Sequence, residues 1–177
     1  MDTPIAEMLY MGIMTDTGSF RFPSVSSRTH EIISILLKVK INHAKIHEKI
    51  YDSNSIDKIR LKSYAVVEKL EVLPKYLTGI ISLTKEELER FNYKKGDTEG
   101  LVNSILSIEN ILVAAIFIEH KDGIKISFRS KGRFFVNELA NKHFNGGGHK
   151  YAAGGFSSEK LEQAVNRFKK LIAKNEK

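Results

Sequence analysis

The chain contains no cysteine. Disulfides and thiolate metal ligands are thereby excluded, and any metal would need Asp, Glu or His donors, which suit harder or borderline ions. No apolar run approaches the roughly 20 residues that span a bilayer. The opening "MDTPIAEMLY" has neither a basic stretch nor a cleavage site of the secretory kind. A cytoplasmic protein with no membrane association is expected. Equally absent are a Walker loop, a GxGxxG after a strand, an HExxH and a nucleophile elbow. The six histidines form no pair followed by a carboxylate cluster; His43 and His47, four apart, read as surface residues of a short helix.

What is present is ordinary in bulk and uneven in detail. The 177 residues suffice for one large domain or two small ones. The net charge is +7, and the segment 121–150 concentrates it: Lys121, Lys125, Arg129, Lys131, Arg133, Lys142 and Lys150 stand against Asp122 and Glu138. A local basic field of this kind favours anionic ligands, phosphates first among them.

The first half reads as helical. Ile5 to Met14 is a short apolar helix or strand; Ser26 or Ser27 caps a helix to Lys40, and Asn42 caps another. A longer helix is predicted from Ile56 to about Leu70, with Ile56, Ile59, Val66, Val67 and Leu70 on its apolar side, serving as a connector. Beyond Pro74 strands and helices mix. Thr84 and Glu87 form a capping box. The runs "ILVAAIFIE" and "IKISFRS" are strands joined by a turn at 120–123, with Lys125, Ser127 and Arg129 on one face of the second. "RFFVNELANKHF" is a helix ended by a glycine triplet, and Ser157 or Ser158 caps a last helix. An α/β class follows for this half, with a mixed sheet and flanking helices.

Three stretches can carry chemistry. In "FNGGGHKYAAGGF", residues 144–156, one glycine serves as a helix C-cap and a second as a turn former, but three in a row exceed that need. Gly146, Gly147 and Gly148 can instead aim backbone N–H groups at a phosphate, with His149 as a further donor. Arg129 and Ser130, at the end of a strand, can supply a guanidinium fork and a hydroxyl, or be ordinary sheet-edge residues. Asp16, in "MTDTGSFRF", sits where a carboxylate at a strand end can bind a metal, or where an aspartate forms a turn or caps a helix.

Taken together these stretches resemble the DHH-family phosphoesterases. "GIMTDTGSFRFPSVSSRTHEI" is similar to that family's fourth motif, and "SFRSKGRFFVNELANKHFNGGGHKYAAGGF" to the signature of its DHH-associated C-terminal domain. The nearest branch is the oligoribonuclease (nanoRNase)/pAp-phosphatase group; cyclic-dinucleotide phosphodiesterases and RecJ-type exonucleases share the architecture. The resemblance implies hydrolysis of phosphoester bonds by two metal ions, typically Mn²⁺, with short RNA or DNA oligonucleotides or phosphorylated nucleotides as substrates. It assigns Asp16 to metal binding, and Arg129, Ser130, Gly146, Gly147, Gly148 and His149 to substrate binding.

The family's earlier motifs, Asp-x-Asp and Asp-His-His, do not occur. The resemblance therefore implies the C-terminal part of such an enzyme, a fragment or the product of an internal start at Met1. Residues 1–53 would be a helical remnant of the catalytic domain, 54–74 the connector and 75–177 the substrate domain. Hydrolysis is not expected of the chain alone. The alternatives are a nucleotide- or RNA-end-binding module without catalysis, part of a cyclic-dinucleotide phosphodiesterase, or a self-associating truncation with apolar surface exposed around Ile5 to Met14.

Overall fold

The computed structural model describes residues 2–22 and 24–174; Met1, Pro23 and 175–177 lie outside the described residues. The chain divides into two compact units, Met1–Asn54 and Ser55–Lys177.

The first unit is helical. Helix α1 (Thr3–Asp16) places Ala6, Tyr10 and Met14, four residues apart, on one buried stripe. That stripe meets Ile33 and Leu36 of α2 (Ser27–Lys38), and Ile41 closes the small core. Ser26 caps α2 through a reciprocal box with Thr29, and the Asn42 side chain accepts from the Lys45 N–H to start α3 (His43–Tyr51). His47 is half-buried rather than a surface residue, and its Nε2 lies 3.1 Å from the Tyr10 hydroxyl. The other side of α1 carries exposed Ile5, Met8, Leu9 and Met11.

The second unit is built on a six-stranded sheet, in the order β1 (Leu70–Leu73), β2 (Thr78–Leu83), β3 (Val113–His120), β4 (Gly123–Ser130), β6 (Ala152–Ser157), β5 (Gly147–His149). Among the described residues only β2 and β3 run parallel, so their connection must cross over; it does so through α5 (Lys85–Arg90) and α6 (Leu101–Leu106). The remaining pairs are antiparallel.

One sheet face is covered by α7 (Val136–His143) and α8 (Leu161–Lys174). There Phe117, Phe128, Phe144 and Phe168 interlock, with the Phe128 and Phe168 rings stacked at 5.7 Å. On the opposite face Ile81, Leu83, Ala114, Ile116 and Ile118 meet α4 (Ile56–Val67), α5 and α6, and α6 reaches as far as β4.

Three expectations about elements are corrected. Helix α4 stops at Val67, and Leu70–Leu73 is an edge strand rather than more helix. Its inward side is Leu61 and Ala65, while Ile56, Ile59 and Val67 face outward; the small Ala65 lets the helix approach the sheet closely. The last helix begins at Leu161, because the Ser157 hydroxyl is held by Glu159 and Arg167 at the end of β6. The mixed sheet with flanking helices and the Thr84–Glu87 capping box are as expected. No helix among the described residues is long and apolar enough to cross a membrane.

Candidate functional site

Strand parity decides which side chains can meet. Paired residues on neighbouring strands share a face, and alternate residues along one strand share it too. Arg129 pairs with Ala152, and Ala152 pairs with His149. Arg129, Ala152 and His149 therefore form one row across β4, β6 and β5. Adjacent strands lie about 4.8 Å apart, so the Arg129 and His149 side chains rise roughly 10 Å from one another over an alanine. The next row is Ser127, Gly154 and Gly147, and the third begins with Lys125 and Phe156.

These rows run outward from α6, which reaches as far as β4; β6 and β5 lie beyond it on this face. The result is a floor of Gly, Ala and Ser, bordered by Arg129, His149, Lys125 and Phe156. His149 and Lys125 are exposed, and Arg129 is half-buried.

The Arg129 guanidinium donates to the Phe128 carbonyl at 2.9 Å, which uses one of its five N–H groups. No acidic side chain pairs with it among the described residues. Burial pushes its pKa down from the ordinary value, yet an arginine stays charged at neutral pH. A partly desolvated cation without a counter-charge is costly, and a bound anion offsets that cost.

The chain between Arg129 and His149 holds the two in place. The Ser130 N–H donates to the Tyr151 carbonyl at 3.1 Å, and the Val136 N–H to the Lys150 carbonyl at 2.9 Å. The β5–β6 hairpin that carries His149 is thus tied both to the end of β4 and to the start of α7. Around its tip, Phe135 and Tyr151 meet edge to face, and the Lys150 ammonium lies over the Phe135 ring.

The glycine triplet works differently from either simple reading. Asn145, at φ 42°, takes the left-handed position after α7, so no glycine is needed there. The Gly146 N–H returns to the Ala140 carbonyl. Gly147–His149 is an edge strand, in which successive amides point to opposite sides instead of converging on one point. A Cβ on Gly146 would collide with the Gly154 carbonyl oxygen, and one on Gly148 would lie 2.5 Å from the Ala152 carbonyl oxygen. Gly147 alone among the three has open space where a Cβ would stand, and that space is above the floor.

Ser130 is buried on the opposite face from Arg129. Its hydroxyl donates to the Phe134 carbonyl at 2.7 Å and closes the turn into α7. Asp16 is exposed and ends α1, so the apolar run before it takes the helical of its two expected forms. No group of three or more His, Asp or Glu side chains that could hold a metal exists among the described residues. A two-metal centre needs several such donors, so the donor set here does not fit one. Lys125, Ser127, Gly154 and Phe156 join the candidate floor without a signal of their own; the alternation of "KISFRS" fixes the face of the first two, but the register of the partner strand is not legible in the sequence.

A model of the DHHA1 domain matches residues 73–174. The chain is 35% identical over 170 residues to a probable bifunctional oligoribonuclease and PAP phosphatase NrnA of Streptococcus mutans, covering 94% of this chain and 53% of that protein. It is 29% identical over 154 residues to the bifunctional oligoribonuclease and PAP phosphatase NrnA of Bacillus subtilis, covering 87% and 48%. It thus spans about half the length of the curated relatives it matches. A crystal structure of an exopolyphosphatase-related protein from Bacteroides fragilis aligns with a TM-score of 0.91 at 43% identity, over 96% of this chain and 49% of that one.

Proposed function

Because the chain belongs to the DHHA1 domain family, we propose that its second unit is the substrate-gripping part of a metal-dependent phosphoesterase acting on short oligonucleotides and pAp-like nucleotides. The observation that carries this reading is the Arg129–Ala152–His149 row, a half-buried cation without a counter-charge facing an exposed imidazole across a bare floor. A phosphate seated between them accepts from the free edge of the Arg129 fork and from His149, while the sugar and base lie over Gly147 and Gly154. Ser130 contributes by holding the turn that aligns β4 with the hairpin rather than by touching the phosphate.

The parent reaction needs metal ions to activate water and neutralise the phosphoryl oxygens, with Mn²⁺ the ion the resemblance implies. Asp16 does not supply such a centre by itself, so this chain binds the nucleotide without turning it over. A binding module without catalysis is the second reading, and the lone position of Asp16 favours it.

Calorimetric titration of the chain with pAp and a dinucleotide tests the proposal. Binding should weaken as salt rises and fall by on the order of tenfold or more in Arg129→Ala, about 1.4 kcal/mol for each tenfold. His149→Ala should fall in the same direction. Arg129→Lys should not restore full affinity, because the ammonium lacks the planar fork. Indifference of binding to Arg129→Ala and His149→Ala would overturn the assignment. Hydrolysis of either ligand by this chain with Mn²⁺ would overturn the claim that it does not turn over substrate.

A further inference from the structure

The open face does not end at Lys125. His120 has the same parity as Ala114, Ile116 and Ile118 on β3, and pairs with Gly123, the first residue of β4. The face that presents Arg129, Ser127 and Lys125 therefore continues to His120 at the far end of the hairpin. From Arg129 to Gly123 is six residues, about 20 Å at 3.4 Å per residue.

A concavity of about 670 Å³ lies there, between the end of β3, the β3–β4 turn and the segment that follows α5. Its wall includes two half-buried rings, Tyr93 and His120, with centroids 6.3 Å apart. Lys94 and Lys121 flank them, exposed and without an ion pair among the described residues. The two carboxylates nearby are already engaged: Glu119 accepts from the Lys85 N–H at 3.1 Å, and Glu89 pairs with the Lys85 ammonium. Midway along the track stand Lys125, exposed, and the ring of Phe156, 40% exposed and paired across from it.

Aromatic faces interleaved with unpaired lysines along one side of a sheet are what a single strand of nucleic acid requires. Its bases stack on rings of any sequence, and its phosphates follow the cations. We propose that Tyr93 and His120, with Lys94 and Lys121, form a second subsite for a base and phosphate of a longer oligonucleotide whose end is held at Arg129 and His149. The subsite rests on the nucleotide-binding reading above and adds a length preference to it. A single nucleotide does not reach from one end to the other. A chain of about six nucleotides spans the distance when stacked at about 3.4 Å each, and fewer suffice when extended. The protein should therefore grip longer oligonucleotides at both places and pAp at one.

The test is calorimetric titration of the full chain with unlabelled oligoadenylates of two and of about six nucleotides. The longer ligand should bind roughly five- to a hundredfold more tightly, the range that stacking of one base supplies. Tyr93→Ala should abolish that ratio and leave dinucleotide affinity unchanged, while Tyr93→Phe, which keeps the ring, should preserve it. Tyr93 also packs against the apolar cluster that α4, α5 and α6 form with the sheet, so Lys94→Glu combined with Lys121→Glu provides a change confined to exposed positions. This pair should lower the ratio and flatten its salt dependence. A ratio near one in the unmodified protein, or one untouched by Tyr93→Ala and by the lysine pair, overturns the subsite. Dinucleotide binding that ignores Arg129→Ala overturns the underlying reading instead, and no binding of either length overturns both.

Discussion

Replacing Gly146 and Gly147 separately by alanine should divide two roles that lie one residue apart. At Gly146 the new Cβ overlaps the Gly154 carbonyl oxygen and lies 2.6 Å from the Gly155 Cα. Both are backbone atoms of β6, and they cannot rotate away as a side chain would. β6 is also fixed from the other side by β4, and on the near side by the Phe156 N–H donating to the Phe144 carbonyl at 2.6 Å. Overpacking of this kind costs about 1–3 kcal/mol. In a unit of this size that lowers the melting temperature by roughly several degrees. At Gly147 no heavy atom lies within 4 Å of the added carbon, and φ is not in the left-handed range. Gly147→Ala should therefore be neutral or gain about 0.4–1 kcal/mol, from reduced freedom of the unfolded chain. The larger Gly147→Val places a branched side chain over the floor. It should weaken binding of a dinucleotide by on the order of tenfold, about 1.4 kcal/mol. Urea denaturation and calorimetric titration on the same preparations read both quantities. If Gly147→Ala destabilised the protein as much as Gly146→Ala, the openness of the floor would be refuted. If Gly147→Val bound normally, the floor would not be the contact surface.

Two further variants probe what supports the site. Ser130→Ala removes the donor to the part-buried Phe134 carbonyl and should cost about 0.5–1.5 kcal/mol of stability, read by denaturation. An added loss of affinity larger than the loss from Arg129→Ala would instead mean that its hydroxyl touches ligand. Glu87 accepts from the Tyr64 hydroxyl at 2.6 Å and the Thr84 N–H at 2.8 Å, and pairs with Lys69 at 2.7 Å. Burial pushes its pKa up, but the bonds from Lys69, Tyr64 and Thr84 outweigh burial and hold it below the ordinary carboxylate value. A depressed folded pKa means that this stabilisation is present above the unfolded-state pKa and disappears as pH falls through the folded one. Glu87→Gln should cost about 1.5–3 kcal/mol at neutral pH and flatten the acid limb of a stability–pH curve. An unchanged acid limb would show that the cluster does not couple to folding.

Local signals in the sequence translated well where the controlling partner is only a few residues away. The Ser26 cap, the Thr84–Glu87 box, the Asn42 cap and the hairpin around 120–123 all close within three or four residues. The alternation of Ile124, Ile126 and Phe128 against Lys125, Ser127 and Arg129 was legible for the same reason. Failures arose where a distant partner decides. Leu70–Leu73 is a strand because β2 pairs with it, and nothing local overrides the helical spacing that precedes it. The apolar side of α4 was misjudged because Ala65 carries little hydrophobic signal, although its small size is what admits the helix to the sheet. The glycine triplet was read as one device. The register of β5 on β6 divides it into two positions excluded by the backbone of β6 and one that opens onto the face. Asn145, which makes the left-handed turn, drew no notice beside three glycines.

The location of the candidate site follows from an imbalance in how the sheet is covered. Helices α7 and α8 bury one face, but on the other α4 and α5 stay over the first strands and α6 extends only as far as β4, short of β6 and β5. An apolar alternation continued across β4, β6 and β5 would leave an adhesive patch beside a free strand edge, which invites aggregation. The residues there are instead Lys125, Ser127 and Arg129, then Ala152, Gly154 and Phe156, then Gly147 and His149 on a strand of three residues. Solubility alone would be met by charged, bulky side chains throughout. It does not call for glycine and alanine in the middle of the floor, because these lower strand propensity. Nor does it call for an arginine half-buried without a carboxylate. Both costs are offset together if a flat, anionic ligand lies on the floor, since small residues admit its close approach and the phosphate supplies the missing counter-charge. The same two features thus weigh against an idle sheet surface and in favour of a nucleotide.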